Sequence, residues 1–374
     1  MRGFLKIFSV ALFFGILAVP LSAFCQVDTA WVRYYNGAGD KTDEMRGIAV
    51  DDSKNVVITG YSGTGSPTGE LVTIKYDRSG NQLWLQNYNG AVNTGDYPGL
   101  LAMDKKGNVY VTGGTGAGND CITIRYDSNG NQVWAARYSG PVNGMDIGLG
   151  LTVDESGNVY VVGISQGAIR NCPFFSGIHF YFVTIKYDSN GNQLWAERYL
   201  PPGGDDFWTR AHSVAVDQFG SVYVGGYSEH CPGQSEWITI KYDSTGGQLW
   251  VRSFNAGLWG NYTGTLIDLK LDTNGNIYLV GGSHDTATHV DYTTVKYDSQ
   301  GNQLWAARFN GSFNNHDFAI SMALNSQHNI YVTGFSYAGA GNDYDIITIK
   351  YDSNGNQLWV QPYNGPGSKE DIGY

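Results

Sequence analysis

The sequence predicts an all-β protein of the β-propeller class, built from four-stranded antiparallel blades, on three observations. A phrase of the form Ile/Val-Lys/Arg-Tyr-Asp-x-x-Gly-x-Gln-Leu/Val-Trp recurs six times, ending at Trp84, Trp134, Trp195, Trp250, Trp305 and Trp359. Trp31 opens the series without its upstream half, and the seven tryptophans lie 53, 50, 61, 55, 55 and 54 residues apart, a period that signals radial or solenoid repetition. Gly numbers 51 and aromatics reach 14% against 15% charged residues, the composition of many short strands joined by tight turns. After the N-terminal segment no helical periodicity is found.

Residues 1 to 25 read as a secretory signal peptide: Arg2 and Lys6 flank an apolar run from Phe8 to Leu21, and Ala23 and Cys25 are the small residues a peptidase needs. Cleavage after Cys25 leaves residues 26 to 374 as one repeat domain. Acylation of Cys25 is the competing reading, and Phe24 stands where it requires a small residue. Nothing else approaches the roughly 18 apolar residues of a membrane span, so no transmembrane segment is expected in the mature chain. Loss of Arg2 and Lys6 moves the net charge from −11 to −13, which repels phosphate backbones and argues against nucleic acid.

Residues 98 to 139 show one repeat. Gly99 to Asp104, Asn108 to Thr112, Cys121 to Tyr126 and Gln132 to Tyr138 read as four strands. Asp104-Lys-Lys-Gly-Asn108 and Asp127-Ser-Asn-Gly-Asn131 read as hairpin turns, with Gly supplying positive φ and Asp or Asn bonding the local backbone. Four such strands about every 50 residues make a propeller blade.

Units such as Leu151-Thr-Val-Asp154, Gly157-Asn-Val-Tyr-Val-Val-Gly163 and Thr184-Ile-Lys-Tyr-Asp188 resemble the bacterial seven-bladed β-propeller repeats called SBBP repeats, over nearly all of residues 31 to 374. The resemblance implies an exported or cell-surface protein and names no reaction. Six complete repeats precede a partial seventh. Trp31 to Tyr35 is expected as an orphan outer strand, and residues 364 to 374 stop where another inner strand would begin. Two architectures follow: a seven-bladed ring truncated at its C-terminus, or a closed six-bladed ring with one redundant strand.

Strand alternation puts the short, uniform Asp-x-x-Gly-Asn turns on one face and the variable connections on the other, from Thr115 to Asp120 in one repeat to Ser165 to Tyr181 in another. Binding loops are carried this way on rigid scaffolds. The variable face is therefore the expected ligand site, with Trp208, Trp237, Trp259, Phe174, Phe175 and Tyr262 as its binding residues. Phe207 lies beside them. Such rings can stack on sugar faces, or they can fill gaps between long loops.

Asp43, Asp96, Asp146, Asp317 and Asp371 recur where each inner strand begins, at the entrance of the central channel, with Thr209 and Gly264 breaking the series. They read either as a calcium-binding ring of carboxylates or as turn residues accepting backbone hydrogen bonds. The Asp-Ser-Asn-Gly-Asn phrases are turn chemistry rather than EF-type loops. No zinc spacing is legible, although His230, His284 and His289 share the variable face. Lys75, Arg125, Lys186, Lys241, Lys296 and Lys350 recur at one blade position and read as salt bridges or a solvated edge. Cys121 reads as a buried structural thiol. Cys172 and Cys231, each before Pro in neighbouring repeats, are expected to form a disulfide.

Function follows only to class level. The leading expectation is a non-enzymatic exported scaffold that contacts protein or glycan through its variable face, with no resident cofactor and calcium as the one candidate. Asp188 to Trp195 also resembles the tryptophan-docking repeat of quinoprotein dehydrogenases, with Asp-to-Gly spacing one residue shorter and no adjacent cysteine pair. A glycoside hydrolase or lyase would use a carboxylate pair, for which Asp205 or Asp206 beside Trp208 is the one to test.

Overall fold

The computed structural model describes residues 29–37, 41–63, 69–90, 97–115, 120–172, 175–202, 206–230, 233–258, 265–285, 287–339, 343–365 and 371. The signal-peptide expectation lies outside these residues. Blade 1 contains β1 (Asp43–Val50), β2 (Val56–Gly63), β3 (Gly69–Tyr76) and β4 (Gln82–Tyr88). Blade 2 contains β5 (Tyr97–Met103), β6 (Val109–Thr115), β7 (Asp120–Tyr126) and β8 (Gln132–Tyr138), and blade 3 contains β9 (Asp146–Val153), β10 (Val159–Cys172), β11 (Phe175–Tyr187) and β12 (Gln193–Tyr199). Blade 4 follows with β13 (Asp206–Val216), β14 (Val222–His230), β15 (Gln234–Tyr242) and β16 (Gln248–Leu258). Blade 5 has β17 (Leu266–Leu271), β18 (Ile277–Asp285), β19 (His289–Tyr297) and β20 (Gln303–Phe309), and blade 6 has β21 (Asp317–Leu324), β22 (Ile330–Tyr337), β23 (Tyr344–Tyr351) and β24 (Gln357–Tyr363).

Each blade is an antiparallel meander in sequence order, as the repeat predicts. Inner strands touch in succession, β1 to β5, β9, β13, β17 and β21. The core is a series of apolar slabs between neighbouring blades. Val57, Leu71 and Trp84 of blade 1 meet Val109, Val111 and Ile122 of blade 2, and Tyr160 and Phe182 of blade 3 meet Val222, Val224 and Ile240 of blade 4. Middle strands are covered on both faces, which is why β6 is buried at every position.

The Asp-x-x-Gly-Asn turns are closed by their own side chains. Asp127 Oδ1 accepts the backbone N–H groups of Asn129 and Asn131, both at 2.9 Å, and Oδ2 accepts the Asn131 amide at 2.8 Å. Gly130 holds φ +88°, a region open to Gly at little cost. The preceding blade docks here: Trp84 lies against Gly130, where an added Cβ would come within 2.7 Å of the indole, and its Nε1 donates to Ser128 O at 3.1 Å.

Lysines of the third strands complete this clasp and correct the solvated-edge expectation. Lys186 and Trp195 both donate to Ser244 O of the next blade, at 3.0 and 3.2 Å, and Lys296 and Trp305 both donate to Ser353 O, at 3.0 and 3.1 Å. These lysines are buried, with Nζ over the Tyr160 and Tyr278 rings. Lys75 keeps the salt-bridge reading, 3.1 Å from Asp51.

Two other expectations change. Residues 31–35 form no ladder, yet Trp31 docks on blade 1 as Trp84, Trp134, Trp195 and Trp305 dock on the blades after theirs, donating to Arg78 O at 3.0 Å. The stretch from Ser165 to Tyr181 is largely ladder rather than loop: β10 and β11 continue pairing to Cys172↔Phe175, interrupted by one irregularity between Gln166 and Ile169. Among the described residues no helix is long and apolar enough to cross a membrane.

Candidate functional site

Of the two expected aromatic residues whose side chains are described, Trp208 and Trp237, the accessible one is Trp208, at the variable end of blades 3 and 4. The β10–β11 hairpin extends beyond the other blades and presents Phe180, buried, against Trp208 at the start of β13. The two rings stack at 5.7 Å with an 18° tilt, and Trp208 remains 44% exposed. Arg210, two residues along the same strand, lies 4.6 Å over the Trp208 ring. His212 is the extra residue of a β-bulge between Ala211 and Ser213 and stacks on Tyr227 at 5.6 Å. Burial, reinforced by the Arg210 charge, pulls the His212 pKa down to about 4, so its imidazole is neutral at pH 7.

Beside this cluster an open groove of about 490 Å³ runs between the blades. Tyr199, Pro201 and Pro202 after β12 form one wall, and His230, Gln234 and Glu236 of blade 4 form the other. His230 Nε2 stands 3.5 Å from Glu236 Oε2, an ion pair when the imidazole is protonated. Trp208 does not line the groove; it pairs with Glu229, the residue before His230, and those two side chains point to opposite faces of the strand.

The remaining expected residues separate. Trp237 is a correction: it is wholly buried between blades 4 and 5 against Phe254 and Leu269, so it presents no ring to a ligand. Trp259, Phe174 and Tyr262 lie outside the described residues, as do the side chains of Phe175, Asp206, Cys172 and Cys231. The disulfide expectation falls there too. Cys121 is buried as expected, and burial pushes its thiol pKa up to about 12.

The channel-entrance aspartates close turns. Asp43, Asp146, Asp317 and Asp371 accept the N–H groups of Gly37, Gly140, Gly311 and Gly365 at 3.0, 2.7, 2.5 and 2.5 Å, each from the residue six positions earlier. Asp96 lies outside the described residues. In blade 4 Thr209 takes the place of the carboxylate and shares a 2.9 Å hydrogen bond with Ser228. Burial raises the Asp146 and Asp317 pKa values. The Gly N–H groups occupy Oδ2 of each carboxylate, while Oδ1 of Asp43, Asp146 and Asp317 is buried without a hydrogen-bond partner. In the Asp127 turn, hydrogen bonds from the Asn131 side chain first, then from the backbone of Asn131 and Asn129, hold the Asp127 carboxyl below its ordinary range.

Sequence spacing missed a histidine cluster at the corresponding end of blades 5 and 6, where His289 lies 6.4 Å from His284 and 5.1 Å from His316 between ring centroids. Among the described residues no group of three His, Cys, Asp or Glu side chains is arranged to hold a metal ion. The Trp208–Arg210 pair was also missed. Its signal was present in the repeat: Thr209 pairs with Ser228 as Asp146 pairs with Ser165 and Asp317 with Ser336, so Arg210 stands where blades 3 and 6 have Ile147 and Phe318 and blade 1 has Glu44.

No family model matches this chain, and no curated protein matches it. Solved structures do. A protein of unknown function from Dyadobacter fermentans aligns at 10% identity over 86% of this chain and 94% of its own, with a TM-score of 0.46. A neuraminidase-like protein of the influenza virus A/flat-faced bat/Peru aligns at 11% identity over 85% and 92%, with a TM-score of 0.43. A calcium-binding protein, regucalcin, from Agrobacterium tumefaciens aligns at 13% identity over 78% and 81%, with a TM-score of 0.39. Six consecutive four-stranded antiparallel sheets with sequentially packed inner strands make this chain an all-β protein of propeller-type blades.

Proposed function

We propose that this chain is an exported binding protein of the SBBP-repeat kind, whose blades act as a rigid frame and whose variable face binds a glycan at the seam of blades 3 and 4. One observation carries the reading: an exposed Trp208 preorganised on Phe180 at the seam of blades 3 and 4, paired with the strand that runs on into the wall of an open groove mixing Tyr199 and prolines with His230, Gln234 and Glu236. Saccharides present apolar ring faces edged by hydroxyls, and a ring already stacked on Phe180 loses little freedom on meeting one. His230, Gln234 and Glu236 supply the directional hydrogen-bonding groups such a ligand needs. At the corresponding ends of blades 2 and 5 acids are engaged in ion pairs with arginine, Asp120 with Arg137 at 2.6 Å and Asp291 with Arg308 at 3.1 Å.

A glycan-array screen of the purified mature protein tests this, run with calcium and with chelator. Saturable binding to a saccharide subset is expected, with the same subset retained under chelation, because neither Trp208 nor the groove walls need a cation to meet a saccharide. A folded sample that binds no glycan overturns the reading in favour of a protein partner. Binding abolished by chelator would instead place calcium in the site.

A further inference from the structure

The seam of blades 3 and 4 departs from the repeat in its charge. In blades 2 and 5 an arginine of the outer strand pairs with an acid on the third strand: Arg137 with Asp120, and Arg308 with Asp291 at 3.1 Å. The ladder puts Tyr181 of blade 3 at that acid's position, since Tyr181 pairs with Ser165 as Asp120 pairs with Thr115 and Asp291 with Ser283. Arg198 accordingly lies 4.2 Å over the Tyr181 ring, and its Nη2 reaches backbone carbonyls, 2.7 Å to Gln166 O. In blade 4 Thr209 replaces the inner-strand aspartate, and Arg210 stands where blades 3 and 6 have Ile147 and Phe318 and blade 1 has Glu44. The acids are thus rearranged rather than simply lost, since blade 4 keeps Glu236 at the third-strand position and carries Glu229 opposite Trp208.

Arg125, Arg198 and Arg210 each bury an Nε without an acceptor, and Arg125 and Arg198 spend their terminal nitrogens on backbone carbonyls. Among the described residues no carboxylate lies within ion-pair distance of the Arg210 guanidinium. Its neighbours on the strand are Trp208 and His212, whose Nε2 is likewise buried without a partner. A guanidinium is weakly hydrated and offers a planar fork that matches a carboxylate bidentately. An arginine placed against an exposed indole, with no ion-pair partner among the described residues, is therefore preset for an anion attached to a flat ligand.

Resting on the glycan reading of this face, we propose that the seam takes a carboxylate-bearing saccharide of the uronate type, its carboxylate held by Arg210 and its sugar ring set against Trp208. The repeat gives the reason for one such site: the blades that keep the aspartate and the apolar residue have neither the cation nor the exposed ring.

Isothermal titration with oligogalacturonate and with its fully methyl-esterified form, on the whole mature protein, tests the assignment. Wild type is expected to bind the acid form at least tenfold more tightly than the ester, with an affinity that falls as salt is raised. Arg210→Gln is expected to remove that preference, and Arg210→Lys to keep part of it, because a point charge replaces the fork. Melting curves of both variants check folding, which the shape-preserving Gln and charge-preserving Lys are chosen to retain. Equal affinity of Arg210→Gln and wild type for the acid form overturns the proposal. Binding of neutral saccharides without preference for the acid also overturns it while leaving the glycan reading standing. A folded protein that binds no saccharide, or only an acidic peptide such as polyglutamate, sinks both.

Discussion

At Asp291 burial and an ion pair pull in opposite directions. The side chain is almost fully covered, and this outweighs Arg308 at 3.1 Å, so its pKa rises to about 6, helped by the nearby Asp317 and Asp285 charges. Because the folded-state value is raised above the unfolded one, the stability it contributes is complete below about pH 4 and is lost as the pH climbs through about 6. The stability of wild type relative to Asp291→Asn should therefore fall by up to about 3 kcal/mol between pH 4 and pH 7, measured by urea unfolding at each pH. A difference independent of pH would mean that the carboxyl is ionised throughout. The same contrast between burial and charge explains why residue type alone misled at the recurrent lysines. Their spacing predicted a common role, but whether Lys186 reached solvent or the Ser244 carbonyl depended on the next blade arriving over it.

The element that holds the blades together is the turn between third and fourth strands. Its Asp-x-x-Gly-Asn chemistry is local, and it was legible because each bond links residues no more than four apart, as in Asp127 to Asn131. What docks on the turn is non-local, since Trp84 reaches Ser128 from the preceding blade. Gly130→Ala should cost about 2–4 kcal/mol in chemical unfolding, by combining a left-handed backbone for a non-Gly residue with a Cβ pressed into the Trp84 indole. Ser128→Ala, which keeps the accepting carbonyl, should cost under about 0.5 kcal/mol. A Gly130→Ala loss as small as that of Ser128→Ala would show that the clasp is loose. Trp250 varies the theme: its Nε1 is buried without an acceptor, and Arg252 instead reaches the turn carbonyls of Gly301 and Gln300 at 2.7 and 3.0 Å. The hairpin at residues 165–181 misled for the opposite reason. Gly167, Gly177 and the Cys172-Pro173 step read as loop residues, yet the register from Ile169↔Ile178 to Cys172↔Phe175 continues the ladder once two long strands lie side by side.

Across the whole molecule the blades are covered on their inward-facing slabs and open at the two ends of the series. Ile48 and Val50 of blade 1 are exposed, and Trp359 of blade 6 is 40% exposed against Tyr331 of its own blade, whereas Trp84 is buried by the blade that follows it. The fold class was readable from period and turns alone. The site was readable only as a face, because nothing local distinguishes Trp208 from Trp237, both of which stand outside the repeat register. Packing decides between them, with blade 5 closing over Trp237 and the blade 3 hairpin holding Trp208 at the rim. The account then makes one central claim, that the exposed Trp208 at the seam of blades 3 and 4 is the contact surface for a saccharide. The direct measurement is calorimetric titration of an array-selected glycan into wild type and Trp208→Ala, with melting curves to confirm folding. The account predicts at least a tenfold loss of affinity, about 1.4 kcal/mol, with little change in melting temperature. Equal affinity in a folded variant would contradict it.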